Sequence, residues 1–214
     1  MSNNQAETSN AANGRLFIIS APSGAGKTSL IKTVVEETSN LMVSVSHTTR
    51  DPRAGETDEI DYFFISKSKF STMSKNNEFI EEAIVFDHFY ATSKAVVMKN
   101  IALGKNIILD IDWQGARNIK KAGLNSTSIF ILPPSLLELE TRLTGRGDDP
   151  KIVKRRMGDA INEIAHNSEY DHLIINDDFA EAAEILRCII IGRKTQKKGQ
   201  SEKLKSLLAE LMPN

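Results

Sequence analysis

The sequence predicts an α/β domain in which a parallel sheet carries helices on both faces. Three observations point there. Short apolar runs alternate with helical patterns along most of the chain, the signature of βαβ units. The first run, Leu16-Phe17-Ile18-Ile19, leads into a glycine-rich loop that opens a helix, and a later run, Ile107-Ile108-Leu109, ends in an aspartate. Between residues 46 and 92 the texture changes to clustered aromatics and short extended segments, which predicts a small mixed insertion on the α/β core.

The elements follow in order. Residues 1–14 are rich in Asn, Ser and Ala and read as a disordered tail. Residues 15–20 are mostly apolar, as suits a strand covered on both faces. A helix follows over 26–38, then a strand over 42–46. Within the insertion, Tyr62–Ile65, Phe79–Phe86 and Phe89–Thr92 read as short antiparallel strands. A helix over 93–103 returns the chain to the core, where the apolar runs 106–112, 127–132 and 171–175 alternate with helices over 113–122, 135–144, 150–166 and 179–191. Ser135 and Glu138, just after Pro133-Pro134, form a capping-box pattern. Over 199–211, Leu204, Leu207, Leu208 and Leu211 fall on one helical face. That stripe must pack on the core or on a second subunit, and a homo-oligomer through this helix is one expectation. The expected organisation is a core of 15–45, 93–134 and 168–192, the insertion at 46–92, a helical segment at 135–167 and the terminal helix within 193–214.

Composition narrows the function classes. With 214 residues and 40% hydrophobic content the chain can bury a real core. Its net charge of −1 provides no basic field to hold nucleic acid. Cys188 is the one cysteine, so no disulfide framework or cysteine-based metal site forms within the chain, which suits a reducing cytoplasm. No apolar stretch reaches a membrane span, and the N-terminus lacks the basic start and apolar segment of a secretory signal.

Four constellations carry chemistry. Ala21-Pro22-Ser23-Gly24-Ala25-Gly26-Lys27-Thr28 sits between a strand and a helix, the context of a phosphate-binding P-loop. Its backbone N–H groups and the helix start make an anion cradle. Lys27 adds a mobile positive charge, and the Thr28 hydroxyl is a ligand for Mg²⁺. Ala21 stands where the usual pattern has glycine, so position 21 must not need a positive φ. Asp110 and Asp112, two apart at a strand end, are expected to share one face of a cleft beyond the sheet, with Asp110 acting on Mg²⁺ through water. Arg50 and Arg53, braced by Pro52, can clamp a phosphate, with Tyr62 adding a phenolic hydrogen bond; Asp51 and Glu56 nearly neutralise the pair. Arg142 and Arg146 are i,i+4 and, with Arg155 and Arg156, put cations on a helical element that can meet a transferring phosphoryl group.

These motifs together resemble guanylate kinase, in its bacterial form. The resemblance runs from about Arg15 to Ile191 and rests on Ser-Ala-Pro-Ser-Gly-Ala-Gly-Lys, Ser-Val-Ser-His-Thr-Thr-Arg-x-Pro-Arg-x-Gly-Glu, Leu-Asp-Ile-Asp-Trp-Gln-Gly, Gly-Arg-Gly and Ile-Asn-Asp-Asp in family order. Alanine at position 21 belongs to the bacterial form. The resemblance implies a P-loop kinase fold with a GMP-binding insertion and a lid, and Mg²⁺-dependent transfer of the ATP γ-phosphoryl group to GMP or dGMP. It implies ATP phosphates on residues 21–28 with Asn176 near the ATP base and ribose. GMP falls to Ser46, Arg50, Arg53, Tyr62, Glu81, Tyr90, Thr92 and Asp112, and the lid arginines are Arg142, Arg146 and Arg156. The family's Tyr-Tyr-Gly-Thr is Phe89-Tyr90-Ala91-Thr92 here, and Val85-Phe86-Asp87-His88 replaces a segment that typically ends in Gly-Asn, adding charge beside the acceptor. A switch GTPase would need an Asn-Lys-x-Asp motif that the sequence lacks. A non-catalytic protein-binding module would have a degraded P-loop.

Overall fold

The structure, a computed structural model, describes residues 13–85, 87–145, 149–194 and 200–211. Five strands form a wholly parallel sheet: β1 (Leu16–Ser20), β2 (Leu41–Val43), β7 (Asn106–Asp110), β8 (Ser126–Leu132) and β9 (His172–Ile175), in the order β2-β7-β1-β8-β9. The period of two in β1 explains the layers. Phe17 and Ile19 point to a core shared with α1 (Lys27–Glu37) and α7 (Phe179–Ile191). Leu16 and Ile18 point to the other face, beneath α3 (Lys94–Ala102) and α4 (Trp113–Lys121). Such double coverage is why these strands read as continuous apolar runs rather than alternating ones.

The insertion is a four-stranded mixed sheet ordered β4-β3-β6-β5, from β3 (His47–Thr48), β4 (Phe63–Phe64), β5 (Phe79–Val85) and β6 (His88–Ser93). β6 runs antiparallel to β3 and, as expected, to β5, but the segment expected over Tyr62–Ile65 as an antiparallel strand pairs parallel with β3, a two-residue strand the sequence reading did not contain because it is too short to show a period. The insertion also contains a helix absent from the sequence reading, α2 (Lys67–Lys75), capped by Ser66 accepting from the Lys69 N–H. Only Phe70 of α2 is buried, so no apolar period announces it. Phe70, Phe79 and Ala91 form the insertion's own core, with Phe89 packed against it.

Two further helices, α5 (Leu136–Thr144) and α6 (Pro150–Ile164), pack on each other through Leu139, Leu143, Val153 and Ala160. Ser135 caps α5 as its spacing predicts, accepting from the Glu138 N–H, but the Glu138 carboxylate turns to Arg142 instead of completing the box. α8 (Gln200–Leu211) lays Leu207 and Leu211 against Phe130, Leu132 and Ile164 of the same chain, with Leu204 and Leu208 beside them. The leucine stripe is therefore consumed within the chain and gives no ground for a second subunit.

Most boundaries move by a residue or two, the strand expected over 42–46 runs over Leu41–Val43 instead, and one case is consequential. The predicted strand 106–112 ends at Asp110, and Asp112 is the N-cap of α4. A short acidic side chain just before a helix is better used on free amides than in a ladder. Of the expected tail, Gly14 is held, its N–H donating to the Ile101 carbonyl; residues 1–12 lie outside the described residues, as do Phe86, Arg146 and the chain from 195 to 199.

Candidate active site

The site grows from the ends of β1 and β7. These strands are paired so that Ile19 lies beside Asp110, which sets the loop after β1 next to the carboxylate that ends β7. The loop takes left-handed backbone at Gly24 (φ +94°) and Gly26 (φ +91°) and not at Ala21. Alanine is therefore admissible at 21, whereas a side chain at 24 would also meet Leu139 Cδ1 at 2.9 Å. Gly26 is the N-cap of α1 and offers no side chain to its first amides, which leaves those donors for an anion.

Around this loop lies a cavity of about 300 Å³. Ala21, Pro22, Ser23, Gly24, Gly26, Lys27 and Thr28 line it, and so do Ser46, Arg53, Tyr62, Glu81, Tyr90, Asp110, Asp112 and Arg156. Residues from the P-loop, the insertion, the β7 end and α6 thus converge on one space. Lys27 Nζ stands 2.6 Å from Asp110 Oδ1. Burial pulls the Lys27 pKa down, but the Asp110 carboxylate more than offsets it, and the ammonium titrates above an ordinary lysine.

The remaining candidates act from behind the cavity wall. Asn176 is buried, and its amide donates to the Ala25 carbonyl at 2.7 Å, so it braces the P-loop from below rather than facing the cavity. Ala25 itself is fully buried. Arg142 donates to Glu138 at 2.8 Å and reaches the Asn176 carbonyl at 3.3 Å. Arg50 is bidentate with Glu56, at 2.8 and 2.9 Å, and donates to the Tyr90 hydroxyl at 3.2 Å. Glu56 also accepts from the Arg53 N–H at 2.7 Å. It therefore shapes the whole arginine loop, more than the simple neutralisation its charge suggests. Of the two adjacent arginines on α6, Arg156 lines the cavity, while Arg155 is largely exposed and 3.9 Å from Asp159.

Two carboxylates from different elements face the same space. Glu81 on β5 is 5% exposed and accepts from Thr92 Oγ1 at 2.7 Å; Ser46 Oγ lies 3.3 Å from that hydroxyl. Burial, reinforced by Asp112, lifts the Glu81 pKa to about 7 against the pull of Thr92. Asp112 accepts from the Gly115 N–H at 2.9 Å and from Gln114 Nε2 at 3.0 Å. The departures at 89–91 fall elsewhere. Phe89 and Ala91 alternate with Tyr90 and Thr92 along β6, so the extra methyl and the lost hydroxyl face the insertion's own core. Asp87 sits exposed at the hairpin turn with φ +66° and does not line the cavity.

Sequence reasoning missed Ser29, Ala83, Val85, Ile111 and Glu163, all of which line the cavity. Glu163 had a legible signal: it lies seven residues after Arg156, two helical turns along the same face of α6. Its burial lifts its pKa to about 7, with Lys27 opposing and Asp112 and Asp159 adding to the rise.

A loop for phosphates and a carboxylate-lined insertion opening on one cavity is an arrangement that comparison with known proteins can place. The family model for guanylate kinase matches residues 13–192. The chain belongs to the guanylate kinase family. The guanylate kinase of Nitrosococcus oceani is 48% identical over 200 residues, covering 93% of this chain and 98% of that protein. That of Pseudomonas fluorescens is 46% identical over 200 residues, covering 93% and 97%. The crystal structure of guanylate kinase from Anaplasma phagocytophilum superposes with a TM-score of 0.70 at 32% identity, over 91% of this chain and 95% of that one. The fold is that of the P-loop kinases, and the reaction is the phosphorylation of GMP with ATP.

Proposed function

We propose that this guanylate kinase works by positioning and charge alone, with roles assigned residue by residue. The observation that carries the reading is one cavity lined both by the P-loop and by Glu81, Asp112, Tyr62, Tyr90 and Arg53. The loop 21–28 holds the ATP phosphates, with Asn176 keeping its shape. Arg53 and Tyr62 hold the GMP phosphate beside Arg50, whose geometry Glu56 and Tyr90 fix. The acceptor oxygen is already ionised near pH 7, so no general base is needed. Lys27 and Arg156, with Arg146, set positive charge over the transferring group. Arg142 joins them by leaving its i,i+4 partner Glu138 and the long hydrogen bond to the Asn176 carbonyl, partly exposed contacts that are each worth little. Residues 135–167 form the lid that excludes water, and 46–92 the region that binds GMP.

Base selection follows from donor inventory. Guanine presents N1–H and N2–H₂ donors, adenine presents neither, and ionised carboxylates only accept. Glu81 and Asp112 receive the guanine protons, and Thr92 and Ser46 hold Glu81 in place. Sites built on such bonds discriminate by up to about 10⁴–10⁵.

The donor set fits Mg²⁺. Thr28 and Asp110 offer one hydroxyl and one carboxylate beside the P-loop. Among the described residues no cluster of three or more His, Cys, Asp or Glu is placed to enclose a metal. An open oxygen set of this kind suits a cation that keeps waters and shares phosphate oxygens. When bound with ATP, Mg²⁺ supplies neutralisation of the β- and γ-phosphates. Thr28 would hold the ion and Asp110 would act on it through water, while the Asp110 carboxylate also orients Lys27. We also place the enzyme in the cytoplasm, in keeping with its single unpaired Cys188; among the described residues no helix is long and apolar enough to cross a membrane.

An ADP-release assay across GMP, dGMP, AMP, UMP and CMP tests the reading. GMP is the preferred acceptor and dGMP is used, with AMP worse by orders of magnitude in kcat/KM. Equal values for AMP and GMP would refute the roles of Glu81 and Asp112.

A further inference from the structure

Gly115 lies in the first turn of α4, between the two carboxylates assigned above to guanine. Its N–H donates to Asp112 Oδ1 at 2.9 Å. On its other side, a Cβ built at Gly115 would stand 2.7 Å from Glu81 Oε2 and 3.2 Å from Ile111. That is closer than a carbon and an oxygen approach without a bond between them.

Glu81 has little room to yield. Its other oxygen accepts from Thr92 at 2.7 Å, and the side chain is almost fully buried. The helix cannot retreat either. Asn118 of α4 donates to the Glu82 carbonyl at 2.8 Å, and Gln114 donates to the Ile84 carbonyl at 3.0 Å, so the first turns of α4 are stitched to the backbone of β5. Gly115 is helical with no positive φ, so backbone conformation does not demand glycine. Glycine in a helix interior is a poor choice unless something must come close, and here what comes close is the Glu81 carboxylate.

We propose that Gly115 is a positioning residue for acceptor selection: its missing side chain seats Glu81 against α4 while its N–H seats Asp112, so one residue sets the spacing of both guanine-facing carboxylates. The proposal rests on the reading of Glu81 and Asp112 as the residues that receive guanine. A methyl at 115 forces Glu81 to turn away from the helix or to give up Thr92. Either moves an acceptor away from the base and leaves the P-loop, which joins β1 to α1 on the opposite face of the sheet from α4, untouched.

The test is a double-mutant cycle on the full-length enzyme, with GMP, AMP and ATP as substrates. Gly115→Ala raises the KM for GMP by about ten- to a hundredfold, the effect of misplacing one charge-assisted hydrogen bond. It leaves the KM for ATP unchanged, and kcat at saturating GMP falls less than threefold. In a Glu81→Ala background the same substitution adds less than threefold, because the group it displaces is gone. A merely structural role predicts instead that kcat and both KM values shift together, or that the two substitutions multiply; either result overturns the proposal. If Gly115→Ala alone fails to fold, Gly115→Ala/Glu81→Asp must fold, since the shorter carboxylate clears the methyl; failure of both also overturns it. The underlying reading fails in a different place. There Glu81→Ala itself leaves the KM for GMP unchanged.

Discussion

Replacing Glu81 by glutamine should make the free enzyme more stable and a worse guanylate kinase. The folded chain holds this carboxyl nearly out of water and shifts its pKa from 4.5 to about 7. Keeping it ionised above neutral pH therefore costs roughly 3 kcal/mol, at 1.36 kcal/mol per pH unit between the two values. Glutamine has nearly the same shape, still accepts from Thr92, and has no charge to bury. If about 2 kcal/mol of the cost is recovered, a chain of this size gains about 4–8 °C in Tm at pH 8. The sign with pH is fixed. The unfolded carboxyl ionises above 4.5 and the folded one above about 7, so between them the folded state holds the extra proton. Wild-type stability therefore falls as pH rises through this window, and the advantage of Glu81→Gln grows from near zero below pH 4.5, through a small part of its size at pH 5, to its full size above pH 7. Glu163 titrates in the same range but is present in both proteins and cancels. The assay is thermal melting of both without nucleotide from pH 5 to pH 8, with steady-state kinetics alongside. In the variant an amide N–H₂ opposes guanine donors, and the KM for GMP rises by about ten- to a hundredfold. A lower Tm for Glu81→Gln at pH 8, or a difference that does not shrink toward pH 5, would show that the carboxyl is not held charged against its burial.

Three further outcomes are expected. Lys27→Ala removes the ammonium 2.6 Å from Asp110 and lowers kcat by at least a hundredfold, about 3 kcal/mol of charge stabilisation, while GMP affinity measured by equilibrium titration changes little. Asn176→Ala deletes the buried bond to the Ala25 carbonyl and costs about 1–3 kcal/mol in denaturant unfolding; the KM for ATP rises more than that for GMP, because the brace serves the loop. Leu211→Ala empties a fully buried position at the end of α8 and costs about 2–4 kcal/mol, with no change in sedimentation behaviour, since the stripe is spent inside the chain.

Much of this enzyme was legible from local sequence. The core strands were readable because the central ones, β1, β7 and β8, are buried on both faces and therefore mostly apolar, as Leu16–Ile19, Ile107–Leu109 and Ile129–Leu132 are. The P-loop was readable because left-handed backbone at 24 and 26 requires glycine in a fixed order relative to Lys27 and Thr28. α2 was not, since a nine-residue helix with one buried side chain is held by its cap and by Phe70 rather than by any period. Asp112 was placed on a strand, although its side chain had a better use on the amides of α4.

Sequence by itself determined which chemical groups the chain possesses and their order, because strand burial, turn conformation and helix capping are decided within a few residues. Only the tertiary structure decided which of them meet. That Glu56 organises Arg50, that Asn176 holds the loop from below, that Glu163 enters the cavity and that Gly115 makes room for Glu81 are contacts between side chains from elements brought together by packing. The distance between such groups along the chain, 34 residues from Glu81 to Gly115, carries no information about their distance in space. Burial of the two faces of the sheet fixes that second distance, and with it the spacing of the carboxylates.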